Sequence, residues 1–172
     1  MTFQPDFSEA NEFYHGYLRL TKDAPLVGQL QEGAQATLSL LGNLPEDRWQ
    51  FSYAPGKWTL AESFLHLIDA ERVFTYRALS IARGDTAALP GFNQDDYVPL
   101  SGAAHRKGAD LLAEYQAVRQ ASIQLFAHLD EAAMARMGTA SGHPISAKAL
   151  GFILAGHEQH HLNLFREKYL AT

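Results

Sequence analysis

Near the C-terminal end of the chain, Gly156-His157-Glu158-Gln159-His160-His161-Leu162 places three imidazoles within five residues. Imidazole is the commonest side-chain ligand for transition metals, and spacing decides whether two can share one ion. Leu150, Ile153, Leu154, His157, His161 and Leu164 recur at the three-and-four interval of one helix face. His157 and His161 therefore stand one turn apart, roughly 40° around the axis, on an otherwise apolar stripe. Such a pair is a preformed two-nitrogen clamp for a divalent ion. His160 lies about 60° round on the other side. It is a neighbour of the site before it is a ligand.

A clamp of two needs a third ligand from another element. The remaining histidines are His15, His66, His105, His128 and His143. Only His66 lies mid-helix, about a turn and a half into a long predicted helix, from which it can project inward to meet the other two. His66, His157 and His161 are thus the candidate metal ligands, and three imidazoles leave a coordination position open, as in reactive rather than structural sites. His15, His105, His128 and His143 are assigned to surface or loop positions. Zinc and nickel suit such a site, as do iron, cobalt, copper and manganese in varying degree. Each imidazole must be neutral to bind, so affinity is expected to fall below the ~6.5 reference pKa of histidine.

Two carboxylates are candidates for proton transfer. Glu62 lies one turn before His66 and is either a general base or a partner orienting that ring; it equally reads as half of a capping box with Thr59. Glu158 is the other candidate base, if its helix turns it inward. His157 to His161 also match the H-E-x-x-H pattern of zinc proteases. That reading is weak, because the extended pattern needs glycine and histidine where Leu164 and Glu167 stand.

Hydrophobic periodicity gives the elements that must position these residues. Residues 1–20 form an aromatic-rich arm. Leu26, Leu30, Ala34, Leu38 and Leu41 step along a first long helix that stops near Gly42, and residues 43–57 connect onward. Thr59-Leu-Ala-Glu62 opens a second helix running to about Arg83. Residues 84–100 make a long crossover carrying Asn93, Asp95, Asp96 and Tyr97. A third helix builds from about Ser101 to Leu129, and a short one follows from Asp130 to Met137. A loop over Gly138–Pro144 leads to Ser146, which caps a last helix ending at Leu170. No strand is evident. The fold class is all-α: a four-helix bundle with a long crossover, one domain over residues 1–172. The 59–83 helix is apolar nearly all round, which predicts a homodimer with Phe74 and Tyr76 as contacts.

Composition narrows the function. The formal net charge of -5 offers no basic footprint, which excludes nucleic acid as a partner. The absence of cysteine removes thiolate metal sites and a cysteine nucleophile, leaving histidine and carboxylate chemistry. No glycine-rich phosphate cradle exists, so no nucleotide is required. Met1 to Asp6 lack a signal-peptide pattern, and no apolar run reaches the ~18 residues of a membrane span. The expected location is the cytoplasm.

Taken in order, Tyr53-Ala-Pro-Gly-Lys-Trp58-Thr, Glu62, His66-Leu-Ile-Asp69-Ala-Glu71-Arg72 and Gly156-His157-x-x-His160-His161 resemble the DinB superfamily, including its YfiT-like metal-dependent hydrolases. The likeness takes in the Leu89-Pro-Gly-Phe92 crossover and extends from about residue 25 to the C-terminus. Asn93 stands where close relatives are expected to carry aspartate. The resemblance implies a four-helix bundle of unusual connectivity, commonly dimeric, binding nickel or zinc through His66, His157 and His161. It implies hydrolysis of a small molecule or, as in other branches, thiol transfer or isomerisation with bacillithiol, mycothiol or glutathione. A non-catalytic metal-binding stress-response dimer is the remaining class.

Overall fold

The computed structural model describes residues 3–171. Its helices are α1 (His15–Leu18), α2 (Leu26–Leu41), α3 (Glu46–Trp49), α4 (Leu60–Ala82), α5 (Gln94–Tyr97), α6 (Gly108–Ala127), α7 (Glu131–Met134) and α8 (Ala147–Leu164). The four long ones, α2, α4, α6 and α8, pack as a bundle, and α4 against α8 is its most extensive contact. Both helices of that pair start on side-chain caps. Thr59 Oγ1 accepts from Glu62 N at 3.2 Å while Glu62 Oε2 accepts from Thr59 N at 2.7 Å, the reciprocal box that satisfies two free donors. Ser146 Oγ accepts from Ala149 N at 2.8 Å and donates to Glu9 Oε2 at 2.7 Å, so the start of α8 also holds the N-terminal arm.

The core divides into two apolar clusters. One contains Phe74, Leu150, Phe152 and Ile153; the other contains Trp49, Leu60, Phe64, Tyr115 and Phe165. At the boundary lies a buried ionic hub. Arg119 on α6 donates to both oxygens of Glu71 on α4, at 2.9 and 2.8 Å, and to Glu158 Oε2 on α8 at 2.5 Å. From α2, Thr37 Oγ1 donates to Glu158 Oε1 at 2.9 Å and the Leu30 carbonyl accepts from Arg119 at 3.1 Å. Tyr115 also donates to Glu158. All four long helices meet at this hub. Gly33 is required beside it, because a Cβ there would lie 2.0 Å from Glu158 Oε2.

The structure corrects the expected elements in four places. Residues 138–144 are not a plain loop: β1 (Met137–Ala140) and β2 (His143–Ser146) form an antiparallel hairpin. Its tip, Ser141 at φ 52° and Gly142 at φ 79°, has the paired positive φ of a type I′ turn. The crossover adds to it, with Leu89 N donating to Thr139 O at 2.9 Å and Ser141 N to Leu89 O at 3.0 Å. The third helix starts at Gly108, because Gly102 in the left-handed region (φ 71°) interrupts the turns that precede it. The last helix is regular only to Leu164, and Phe165–Tyr169 continue as a π-helical turn. Phe74, expected at a subunit contact, is 5% exposed and packs inside the chain against Tyr14 and His157. Much of the apolar girth of α4 is covered by α6, α8, α7 and β1, while Tyr76 stays 57% exposed. Among the described residues no helix is long and apolar enough to cross a membrane.

Candidate metal centre

His66 comes from the first half of α4, and His157 and His161 from the second half of α8. Their Nε2 atoms converge: His66 to His157 is 3.3 Å and His161 to His157 is 3.2 Å. A tetrahedral ion with Zn–N bonds of 2.0–2.1 Å separates its ligand nitrogens by about 3.3 Å. The donor set therefore fits one divalent transition ion, with three imidazole nitrogens already at near-ligand spacing. His160, on the same helix, is exposed and outside this trio. His105, His128 and His143 are exposed and His15 is half-buried, none of them near the cluster.

Burial sets the protonation of the three rings. It pushes the His66 pKa down to about 4, against the opposing pull of the Asp95 charge. His157 and His161 are held well below the ordinary histidine value, first by burial and then by neighbouring imidazoles. The rings are neutral at neutral pH, the state a metal needs. The expected fall in metal affinity is consequently displaced below the reference pKa, toward the acid range where His66 protonates. Ser63 Oγ, 3.3 Å from His161 Nδ1, orients that ring. Trp58, Phe74 and Phe165 flank the cluster with ring centroids 5.3, 5.8 and 5.7 Å from His66, His157 and His161.

Lowered histidine pKa values carry a stability consequence. The unfolded imidazoles titrate near ~6.5, so between there and about pH 4 the unfolded chain binds more protons than the folded one. The metal-free protein is expected to lose thermal stability progressively as pH falls through that window. Replacing all three histidines by glutamine should flatten the slope. An equally steep slope in the triple variant would show that other groups cause it.

The N-terminal arm closes one side of the centre. Tyr17 meets His157 and His160 edge-on, with centroids 5.2 and 5.6 Å away. A Cβ at Gly156 would stand 2.1 Å from the Tyr17 carbonyl oxygen, so only glycine lets the arm cross α8 this closely. Two cavities open beside the trio. One of about 350 Å³ has polar walls including Tyr53, Lys57, Ser63 and His160; one of about 220 Å³ reaches Ala70, Arg77 and Phe92. His66, His157, Tyr17, Gln94 and Asp95 border both.

The two candidate carboxylates have other partners. Glu62 is bonded to Thr59 in the capping box, and no hydrogen bond joins it to His66. Glu158 does turn inward, but away from the imidazoles and into the hub with Arg119, Tyr115 and Thr37. One residue along a helix is a 100° rotation, which sends His157 and Glu158 to different sides of α8. The H-E-x-x-H glutamate is thereby unavailable to a bound ion. Asp95, Gln94 and Tyr17 join the site without any spacing signal that reveals them, whereas Arg77 stands about 20° from His66 around α4. Asp95 and Gln94 arrive through α5, whose start is capped by Asn93 accepting from Asp95 N at 3.2 Å.

Three solved structures share this architecture. YfiT from Bacillus subtilis, described as a probable metal-dependent hydrolase with an unusual four-helix bundle topology, aligns with TM-score 0.73 and 17% identity, covering 94% of this chain and 91% of its own. A mycothiol-dependent maleylpyruvate isomerase aligns with TM-score 0.67 and 13% identity over 82% of this chain and 60% of its own. The DinB-like protein YjoA from Bacillus subtilis aligns with TM-score 0.60 and 17% identity over 86% and 92%. Comparison with curated proteins gives no match. The sequence model of the DinB superfamily matches residues 29–165, which include all three converging histidines. On that match the chain belongs to the DinB superfamily.

Proposed function

We propose that this protein is a metal-dependent enzyme, a hydrolase of a small-molecule substrate, with one divalent ion, nickel or zinc, held by His66, His157 and His161. The observation carrying this reading is the convergence of three neutral Nε2 atoms on the border of cavities with polar walls. A centre serving only structure would be sealed by side chains; this one faces Tyr17, Gln94 and Asp95. A bound divalent ion there would polarise a carbonyl and lower the pKa of water toward ~7. Around it, Ser63 orients one ring, the aromatic side chains exclude bulk water, and Asp95 is the carboxylate on the cavity wall able to accept a proton. Glu62, considered as a base from the sequence, is assigned to starting α4. Metal analysis of purified protein, followed by hydrolysis assays before and after exhaustive chelation, tests the reading. Turnover that survives confirmed metal removal would overturn it.

The mycothiol-dependent neighbour supports a second reading, transfer or isomerisation with a thiol cosubstrate at the same centre. Titrating bacillithiol, mycothiol or glutathione into cobalt-loaded protein separates the two, since a thiolate ligand adds a sulfur-to-cobalt absorption band. A homodimer in the cytoplasm completes the proposal. Tyr76 and Leu79, 57% and 39% exposed, replace Phe74 as its contacts. Sedimentation should give twice the chain mass at micromolar concentration, and a monomer there would remove the dimer.

A further inference from the structure

Two arginines in this chain are 2% exposed, Arg77 and Arg119. A buried guanidinium ordinarily has a carboxylate partner, because desolvating an unpaired charge is costly. Arg119 has two such partners. Arg77 has none: among the described residues no carboxylate comes within ion-pair distance of it, and its acceptors are neutral. Its Nη2 donates to Pro90 O at 2.7 Å and to Ser141 Oγ at 3.1 Å, while its Cζ lies 5.8 Å from the Phe92 ring centroid. Nε and Nη1 have no hydrogen-bond partner, yet neither is a sealed, unsatisfied atom. Arg77 borders a cavity of about 310 Å³ toward Tyr76 and Tyr97, and the second cavity it borders lies toward the histidines.

That cavity is the one of about 220 Å³ that also has His66 and His157 in its wall. Arg77 lies about three turns, or ~16 Å, beyond His66 on α4, and only about 20° round the axis. Both side chains lean toward the N-terminus, arginine's further because it is longer, which leaves the guanidinium on the order of 12 Å from the His66 ring. Ala70 and Phe74 line the same wall between them. Ser141, held at the hairpin tip with positive φ, accepts from Arg77 and keeps its own hydroxyl proton to donate.

We propose that Arg77, with Ser141 beside it, is the recognition site for a carboxylate at one end of the substrate, whose reacting carbonyl lies at the His66–His157–His161 centre. The inference rests on the metal reading above and adds the substrate class: a small carboxylic acid with its carboxylate a few bonds from the reacting group. Both Nη2 protons are taken by Pro90 O and Ser141 Oγ, so neither parallel fork of the guanidinium is free. A carboxylate would be held by single charge-assisted N–H bonds from Nη1 or Nε, with the Ser141 hydroxyl as a further donor. The ~12 Å gap, less one metal–oxygen bond and one hydrogen bond, leaves about 7 Å for the connecting chain.

Monohydroxamates of succinate, glutarate and adipate, titrated calorimetrically into the zinc-loaded full chain, test this against equal-length alkyl hydroxamates ending in methyl. One chain length is expected to bind about 10- to 100-fold tighter than its methyl-ended counterpart. The advantage should vanish in Arg77→Met and return in part in Arg77→Lys, while Arg77→Met binds the methyl-ended compound as wild type does. If the methyl-ended compounds bind but no chain length gains from its carboxylate, the Arg77 site is wrong and the metal reading stands. If Arg77→Met weakens both kinds of ligand equally, Arg77 only braces the hairpin and the proposal fails. If no hydroxamate binds the zinc-loaded protein, both readings fall. The wild-type comparison decides the matter even where Arg77→Met does not fold.

Discussion

Replacing His66, His157 or His161 by alanine is expected to take bound divalent metal from one ion per chain to almost none, while His160→Ala keeps it. The Nε2 atoms of His66 and His161 already stand 3.3 and 3.2 Å from that of His157, so each substitution removes one corner of a nearly formed polyhedron. Two imidazoles with a vacated corner must recruit water, and His160 is on the wrong side of α8 to substitute without unwinding a turn. Dialysed protein analysed by mass spectrometry for nickel and zinc gives the stoichiometry directly. Full occupancy without His66 would mean that α8 alone binds the ion. Loss of metal only in His160→Ala would move the centre to the exposed face. Circular dichroism on each variant separates ligand loss from unfolding.

The second large effect is expected at the ionic hub. Arg119→Met removes the one cation that Glu71 and Glu158 share, and both carboxylates are closed from solvent. Breaking a buried pair in this way costs about 3–5 kcal/mol, because the partner charge stays behind unpaired. For a chain of this size that lowers the melting temperature by roughly 10 °C. The combination Arg119→Met, Glu71→Gln and Glu158→Gln should recover part of the loss, since it removes the stranded charges. Glu71 shares α4 with His66, and Glu158 adjoins His157, so the hub also fixes the relative rotation of the ligand helices. Metal affinity should therefore weaken in Arg119→Met although no ligand is touched. Urea unfolding within about 0.5 kcal/mol of wild type would remove the claim of a stabilising hub.

Much of this arrangement was legible in the sequence, and the failures have physical causes. The first long helix begins and ends where its leucines predict, at Leu26 and Leu41. The Thr59–Glu62 box marks the start of α4, and the three-and-four spacing puts His157 and His161 together, since both are local patterns. The hairpin escaped because each strand has only four residues, too few for alternation to register. Its pairing with Leu89 joins segments about 50 residues apart. His66, Glu71 and Arg77 are polar positions at different angles on an apolar helix, and the bundle buries all three. Spacing along one helix gives relative angles but not which neighbour each angle faces. For the same reason Glu158 read as a possible base, when Arg119 on another helix had claimed it.

Tyr17, whose carbonyl oxygen lies against Gly156, gives this protein an order of events during its own synthesis. The arm leaves the ribosome well before its docking partner on α8. At about 5–20 residues per second, the roughly 140 residues between them take on the order of ten to thirty seconds to make. Until that interval ends Tyr17 has no α8 to pack against, and His66 has no companions. The aromatic end of the nascent chain is a natural target for a holding chaperone. The three imidazoles come together only when α8 has packed against α4 and beneath the arm.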